Sequence, residues 1–220
     1  LLQAYIHVEL PESISEERLA SFRDQLQSFA EARGKFFVYP EVNVEVTFKE
    51  GSLKSYLTIA GVIYAAIAGY GSFRSGIDYL YTDIKRLSET LVSESPFITQ
   101  TRNQQIIRTE ARMGMIGNLK NIVNQLRQLE SEIGSIEVEK IIARIEEVTR
   151  DTERLLRQVN SQQDSAYLIQ ELAETMSRLP DQCPYPPEKR PERQIAAAYT
   201  ETLRRVRRRF DSQQSEDSSN

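Results

Sequence analysis

The chain has 220 residues and a mass of 25.3 kDa, room for one large domain or two small ones. Its 40% hydrophobic and 27% charged residues, with a mean hydropathy of -0.48, exclude fibrous, collagen-like and wholly disordered chains. A net charge of -4 excludes a surface built throughout for nucleic acid, and one Cys with one His excludes an internal disulfide and a zinc site of three or four ligands. No metal and no cofactor is therefore expected, and nucleophile–imidazole chemistry would have to run through His7. Leu1 at the start, in place of Met, reads as a processed form or a fragment.

Tyr5 to Leu10 is β-rich and stopped by Pro11, which predicts a first strand. Ser13 with Glu16 forms a capping box ahead of Leu19, Phe22, Leu26 and Phe29, an amphipathic helix that Gly34 closes at its C′ position. Phe36 to Tyr39 reads as a short buried strand. Val42, Val44, Val46 and Phe48 alternate with polar residues as a strand with one wet face. After Gly51, Ser52 is a plausible N-cap, and Leu53, Tyr56, Leu57, Ala60, Ile63, Tyr64 and Ile67 recur at helical spacing; a strand would put Ser55 in its buried row. A glycine cluster from Gly69 to Gly76 breaks this helix, and Ile77, Leu80, Tyr81, Ile84, Leu87 and Leu91 mark the next.

Beyond Pro96 the pattern is helical. Ile116, Leu119, Val123 and Leu126 form one apolar seam and Val138, Ile141, Ile145, Val148, Leu155 and Val159, with Thr152 admitted, a second; Gly134 between them predicts an antiparallel hairpin. Leu168, Leu172, Met176 and Leu179 make a third helix. Pro180, Pro184, Pro186, Pro187 and Pro191 make a linker, and Ile195, Tyr199, Leu203, Val206 and Phe210 share one face of a last helix. The expected fold class is thus α+β. A small β-α-β-β domain with two further helices occupies residues 1–95, and a helical hairpin or three-helix region 96–180. A Pro-rich linker (181–193), a basic amphipathic helix (194–210) and a disordered tail (211–220) follow.

Two segments carry functional expectations. The 19 residues from Ser55 to Phe73 are uncharged, near the length of a membrane span, and Gly61, Ala65 and Gly69 form a small-xxx-small row for close helix packing. Their three Gly, two Ser and one Thr favour a buried helix over a membrane segment. Between Lys189 and Arg209, eight basic and two acidic residues give +6, which leaves -10 on the rest of the chain. Arg204, Arg205, Arg207, Arg208 and Arg209 are the candidate contacts to an acidic partner or another anionic surface, unless the helix docks back on the acidic body. Cys183, flanked by prolines, reads as a free thiol with no activating neighbour. No phosphate loop, dinucleotide fingerprint or zinc-protease string occurs, and no carboxylates group as a catalytic site would.

The string EGSLKSYLTIAGVIYAAIAGYGSFRSGIDYLYTDIK, Glu50 to Lys85, resembles a family of uncharacterised bacterial proteins over about one sixth of the chain. The resemblance implies a prokaryotic source and an accessory or effector place in a bacterial system; it carries no activity and no functional residue. The expected function is non-enzymatic: an assembly or adaptor component, in which the helical arm and the C-terminal helix engage a protein partner or a second copy. Membrane association through residues 55–73 or the basic helix is the alternative, with an enzyme of unrecognised type behind it. Nucleic-acid contact is expected only at the C-terminal basic helix. The expected location is cytoplasmic, with membrane association again the alternative.

Overall fold

The structure, a computed structural model, describes residues 2–8, 15–37, 42–49, 53–61, 63–98, 100 and 106–217. The chain divides into two compact units, residues 1–117 and 118–220.

The first unit opens with strand β1 (Leu2–Val8) and helix α1 (Glu16–Phe37). The helix starts at Ser15, whose hydroxyl accepts from the Arg18 N–H at 3.3 Å, and Glu16 and Glu17 in the first turn suit the positive end of the helix dipole. The expected cap, Ser13, lies outside the described residues. Phe22, Leu26, Ala30 and Gly34 recur every four residues as the buried row, so Gly34 lies inside the helix and does not end it. Strands β2 (Val42–Lys49) and β3 (Leu53–Gly61) form a hairpin, followed by α2 (Ile63–Ala68), α3 (Phe73–Ile98) and β4 (Ile106–Arg112). The strands lie in the order β2-β3-β1-β4, each antiparallel to its neighbour. β1 and β2 therefore run parallel with β3 inserted between them, a split β-α-β arrangement. α1 packs on β2, α3 packs on β1 and β4, and the two helices touch each other, so both cover one face of the sheet.

The expected fold class is corrected here. The chain is predominantly helical, with seven helices among the described residues, and the small β-α-β-β domain with strands at 36–39 and 42–48 does not form. Phe36 and Phe37 continue α1, and Val38 and Tyr39 lie outside the described residues. The helix expected from Leu53 to Ile67 is strand up to Gly61, because β2 needs a partner for its backbone donors and acceptors and a hairpin supplies one nearest in sequence. Ser55 pairs in register with Phe48 on β2 and Ile6 on β1. The boundary expected at residue 95 also moves. Pro96 falls in the last turn of α3, and the chain then returns to the sheet as β4.

The second unit takes in most of α4 (Gly114–Glu132), then α5 (Val138–Leu156), α6 (Gln162–Ser177) and α7 (Arg193–Asp217). Gly134 makes the α4–α5 turn at φ +82, a left-handed conformation that glycine adopts without steric cost. Ser161 caps α6, accepting from the Asp164 N–H at 3.2 Å. Leu119, Ile122, Val123, Leu126 and Leu129 of α4 are buried, as are Val138, Ile141, Ile145, Val148 and Leu155 of α5 and Leu168, Leu172 and Met176 of α6. α7 packs against both α5 and α6. It continues to Asp217, so the tail expected to be disordered from residue 211 is helical over its described part.

Candidate functional site

The basic helix is built into its own unit. Tyr199, Thr202, Leu203, Val206 and Phe210 lie three or four residues apart and are all buried. The Tyr199 hydroxyl donates to the Pro180 carbonyl at 2.6 Å, which ties the proline linker to α7. Burial of the ring, with Cys183 and Asp181 nearby, pushes the Tyr199 phenol up to about 12 against the lowering influence of Arg207. At the other end of the linker, Lys189 pairs with Glu137 at 3.0 Å, and with Lys140 it holds that carboxyl below its ordinary value.

The arginines divide by direction. Arg205 reaches Glu146 at 2.8 Å and Arg209 reaches Glu153 at 2.6 Å, both acceptors lying on α5. Arg207 turns the other way, pairing with Asp181 and donating to the carbonyls of Ser177 at 3.3 Å and Leu179 at 3.0 Å. Arg204 pairs at 3.4 Å with Glu201 on its own helix, and Arg208 is exposed with no ion partner among the described residues. Exposed pairs like Arg205–Glu146 contribute about 0–1 kcal/mol each, so the apolar row holds the helix and the charges fix its rotation. Arg207 differs because two carbonyls at the end of α6 depend on it. Arg207→Ala is expected to destabilise the second unit by about 1–2 kcal/mol and Arg204→Ala by under about 0.5, measured by urea unfolding.

Gly61, Ala65 and Gly69 do not share a helix. Gly61 ends β3, Ala65 lies in α2 and Gly69 follows α2 in a turn, so the uncharged run is strand, short helix and turn in succession. Among the described residues no helix is long and apolar enough to cross a membrane, and no three His, Cys, Asp or Glu could hold a metal ion. Burial and the charge of Glu139 push the Cys183 thiol up from its ordinary value, which keeps it protonated at neutral pH. A cleft of about 420 Å³ between α4 and α5 is lined by amides, and there Gln125 donates to Asp151 at 3.2 Å.

Two surfaces of the first unit were not singled out in the sequence. One is aromatic. At the end of α1, Phe36 is 76% exposed and meets Phe37 edge-on with 5.1 Å between ring centroids. Tyr70 stacks on Tyr79, 59% exposed, at 6.0 Å, and its hydroxyl donates to Asp83 at 2.6 Å and weakly to the Phe37 carbonyl at 3.5 Å. Burial and then Asp83 push the Tyr70 phenol well above its ordinary value, so it remains a donor and holds its ring in place. The other surface is the sheet face opposite α1 and α3. Ala4, fully buried, marks the helix-covered face, which puts Tyr5 and His7, both half-buried, on the opposite one. Cross-strand register pairs Tyr5 with Tyr56 on β3 and Glu110 on β4, and His7 with Lys54 on β3 and Arg108 on β4. Strict alternation of Leu53, Ser55, Leu57 and Ile59 with Lys54, Tyr56 and Thr58 was the sequence signal for the central strand of this face.

No family model, no curated protein and no solved structure matches the chain.

Proposed function

We propose that the chain is a non-catalytic assembly component that associates with a second copy of itself through the aromatic surface of Phe36, Phe37, Tyr70 and Tyr79. The observation that carries this reading is the exposure of Phe36 (76%) and Tyr79 (59%) beside two half-buried rings. Large aromatic side chains form the energetic centre of protein interfaces, since they bury much area and lose little rotamer freedom. A second copy suits the patch because ring edges and ring faces are both present, and a two-fold contact needs only a surface complementary to itself. Phe97, also exposed, is 18 residues from Tyr79 along α3, roughly 27 Å, and stands outside the patch.

This reading places the contact in the first unit in preference to the helical arm and the Arg204–Arg209 segment, which were expected to carry it. Their apolar faces are buried in the second unit, and Arg205, Arg207 and Arg209 already have acidic partners there. A bacterial source and an accessory or effector place belong to the same proposal through the Glu50–Lys85 resemblance, as does a cytoplasmic location. Light scattering on a sizing column over a roughly hundredfold concentration range tests it. The expected result is a mass that rises towards twice the monomer for the native chain and stays at the monomer for Phe36→Ser/Tyr79→Ser. A native chain that remains monomeric throughout, or a double variant that associates equally well, contradicts the proposal.

A further inference from the structure

We propose that the cleft between α4 and α5 binds an uncharged saccharide, whose hydroxyls pair with the side-chain amides that line it. The site lies within the second unit and does not depend on the self-association proposed for the first.

The amides are the first observation. Asn118, Asn121, Asn124, Gln125 and Gln128 of α4 line a cleft of about 420 Å³, a volume in the range of small-ligand sites. Asn118, Asn121, Gln125 and Gln128 are spaced three, four and three apart, so they form one stripe roughly 15 Å long down the helix. The side chains of Asn118, Asn121 and Asn124 are exposed and have no hydrogen-bond partner among the described residues. Asn is a weak helix former because its amide competes with the backbone, and a merely solvated face is better served by Glu, Lys or Arg. Three Asn side chains on this stretch therefore weaken α4 with no internal bond in return. Gln125 adds a buried carbonyl oxygen, Oε1, that lacks a donor, while its NH2 group donates to Asp151 at 3.2 Å. Turning the amide over would set that oxygen against the carboxylate, so its orientation is fixed. A buried acceptor left unmatched is costly, and a hydroxyl entering the cleft is a donor of the right kind.

Charge is the second observation. Asp151 and Arg154 are the charged residues of the lining, and they pair with each other at 3.3 Å, so the lining is neutral. A phosphate or sulfate would have to take the guanidinium from Asp151. A cation would have to take a carboxylate that already accepts from both Gln125 and Arg154. Each amide carries a donor beside an acceptor, and each sugar hydroxyl does the same, so a stripe of amides matches a series of hydroxyls with no change of charge on either side. The apolar lining residues, Ile122 and Leu155, are buried, which leaves no apolar strip for a partner helix to cover. The lining holds no aromatic ring, so a nucleobase has nothing there to stack on.

Nuclear magnetic resonance of the isotope-labelled full chain tests this, because the side-chain amides of Asn and Gln give resonances of their own. The probes are neutral trisaccharides of glucose, galactose, mannose and N-acetylglucosamine, beside a sulfated trisaccharide and an uncharged blocked tripeptide. The expected result is that at least one neutral trisaccharide shifts the side-chain resonances of Asn118, Asn121 and Asn124 saturably, with a Kd of about 10 mM or below that does not change with salt. Asn121→Ala/Asn124→Ala is expected to weaken that binding by about tenfold or more while raising the unfolding temperature, since Ala is the better helix former. Gln170→Ala, on the exposed side of α6, is expected to leave the affinity unchanged. Failure of every neutral trisaccharide to move these resonances, tighter binding there of the sulfated sugar or the tripeptide, or native affinity in the double variant overturns the proposal. Should the double variant unfold earlier than the native chain, magnetisation transfer from the bound sugar's protons to the native side-chain amides decides. Transfer to Asn118, Asn121 or Asn124 supports the proposal, and transfer only to other residues overturns it.

Discussion

Replacing Tyr199 by Ala is expected to lower the unfolding free energy of the second unit by about 3–5 kcal/mol. The ring is wholly buried in the face that α7 turns towards α5 and α6, so its removal leaves a cavity where three elements meet. Tyr199→Phe keeps the ring and loses only the bond to the Pro180 carbonyl, at a cost of about 1 kcal/mol. Urea unfolding followed by circular dichroism, with amide exchange to locate the loss, distinguishes the two. The phenol adds a pH dependence. Its folded value, about 12, lies above the ordinary 10, so the folded state holds this proton more tightly than the unfolded chain. That contribution is fully present below pH 10 and is lost as pH rises towards 12, at no more than about 1.4 kcal/mol per pH unit. Tyr199→Phe is expected to flatten the alkaline limb of the stability profile relative to the native chain.

The second large effect is expected in the first unit, from the smallest residue available. Gly76 sits in the first turn of α3, where a Cβ would lie 2.6 Å from the Ile67 carbonyl oxygen and 2.8 Å from its Cγ2. Helix propensity alone predicts that Gly76→Ala stabilises by about 1 kcal/mol. The contact reverses the sign, because a backbone carbonyl cannot rotate away as a flexible side chain would, and α2 must separate from α3. A net loss of about 2–3 kcal/mol is expected. Gly134→Ala offers a contrast: a Cβ there meets nothing within 4 Å, and only the left-handed φ of +82 is strained, at about 1 kcal/mol. Thermal unfolding of the two variants beside the native chain checks the order.

What the sequence made legible followed from periodicity. The seams of α4, α5 and α6 and the apolar face of α7 were readable because burying one face of a helix imposes a spacing of three and four. Gly134 was readable as the α4–α5 turn for the same local reason. β3 was misread because Leu53, Tyr56, Leu57 and Ala60 satisfy the helical spacing while Leu53, Leu57 and Ile59 also satisfy alternation, and only the backbone demand of β2 chooses between them. β4 was missed because in the edge strand Ile106–Arg112 only Ile106, Ile107 and Ala111 are apolar, too few at alternate positions to set a hydrophobic period.

The candidate surfaces were hidden for a related reason. Lys54, His7 and Arg108 come from three different strands, and only the register pairs them. In sequence they are isolated charges. The arginines of α7 were conspicuous because they are contiguous, yet contiguity on a helix spreads side chains around the axis. Arg205, Arg207 and Arg209 turn to acceptors in their own unit while Arg204 and Arg208 stay at the surface.

That α7 is an integral helix of the second unit, the premise on which partner recognition is proposed for the first, is most directly tested by amide hydrogen exchange along residues 193–212. The buried row Tyr199, Leu203, Val206 and Phe210 predicts that amides of this stretch exchange as slowly as those of α5 and α6 and are released by Tyr199→Ala together with them. Exchange near the rate of an unstructured peptide, with α5 and α6 still protected, would show a free basic arm and return Arg204 to Arg209 to the role of partner contact.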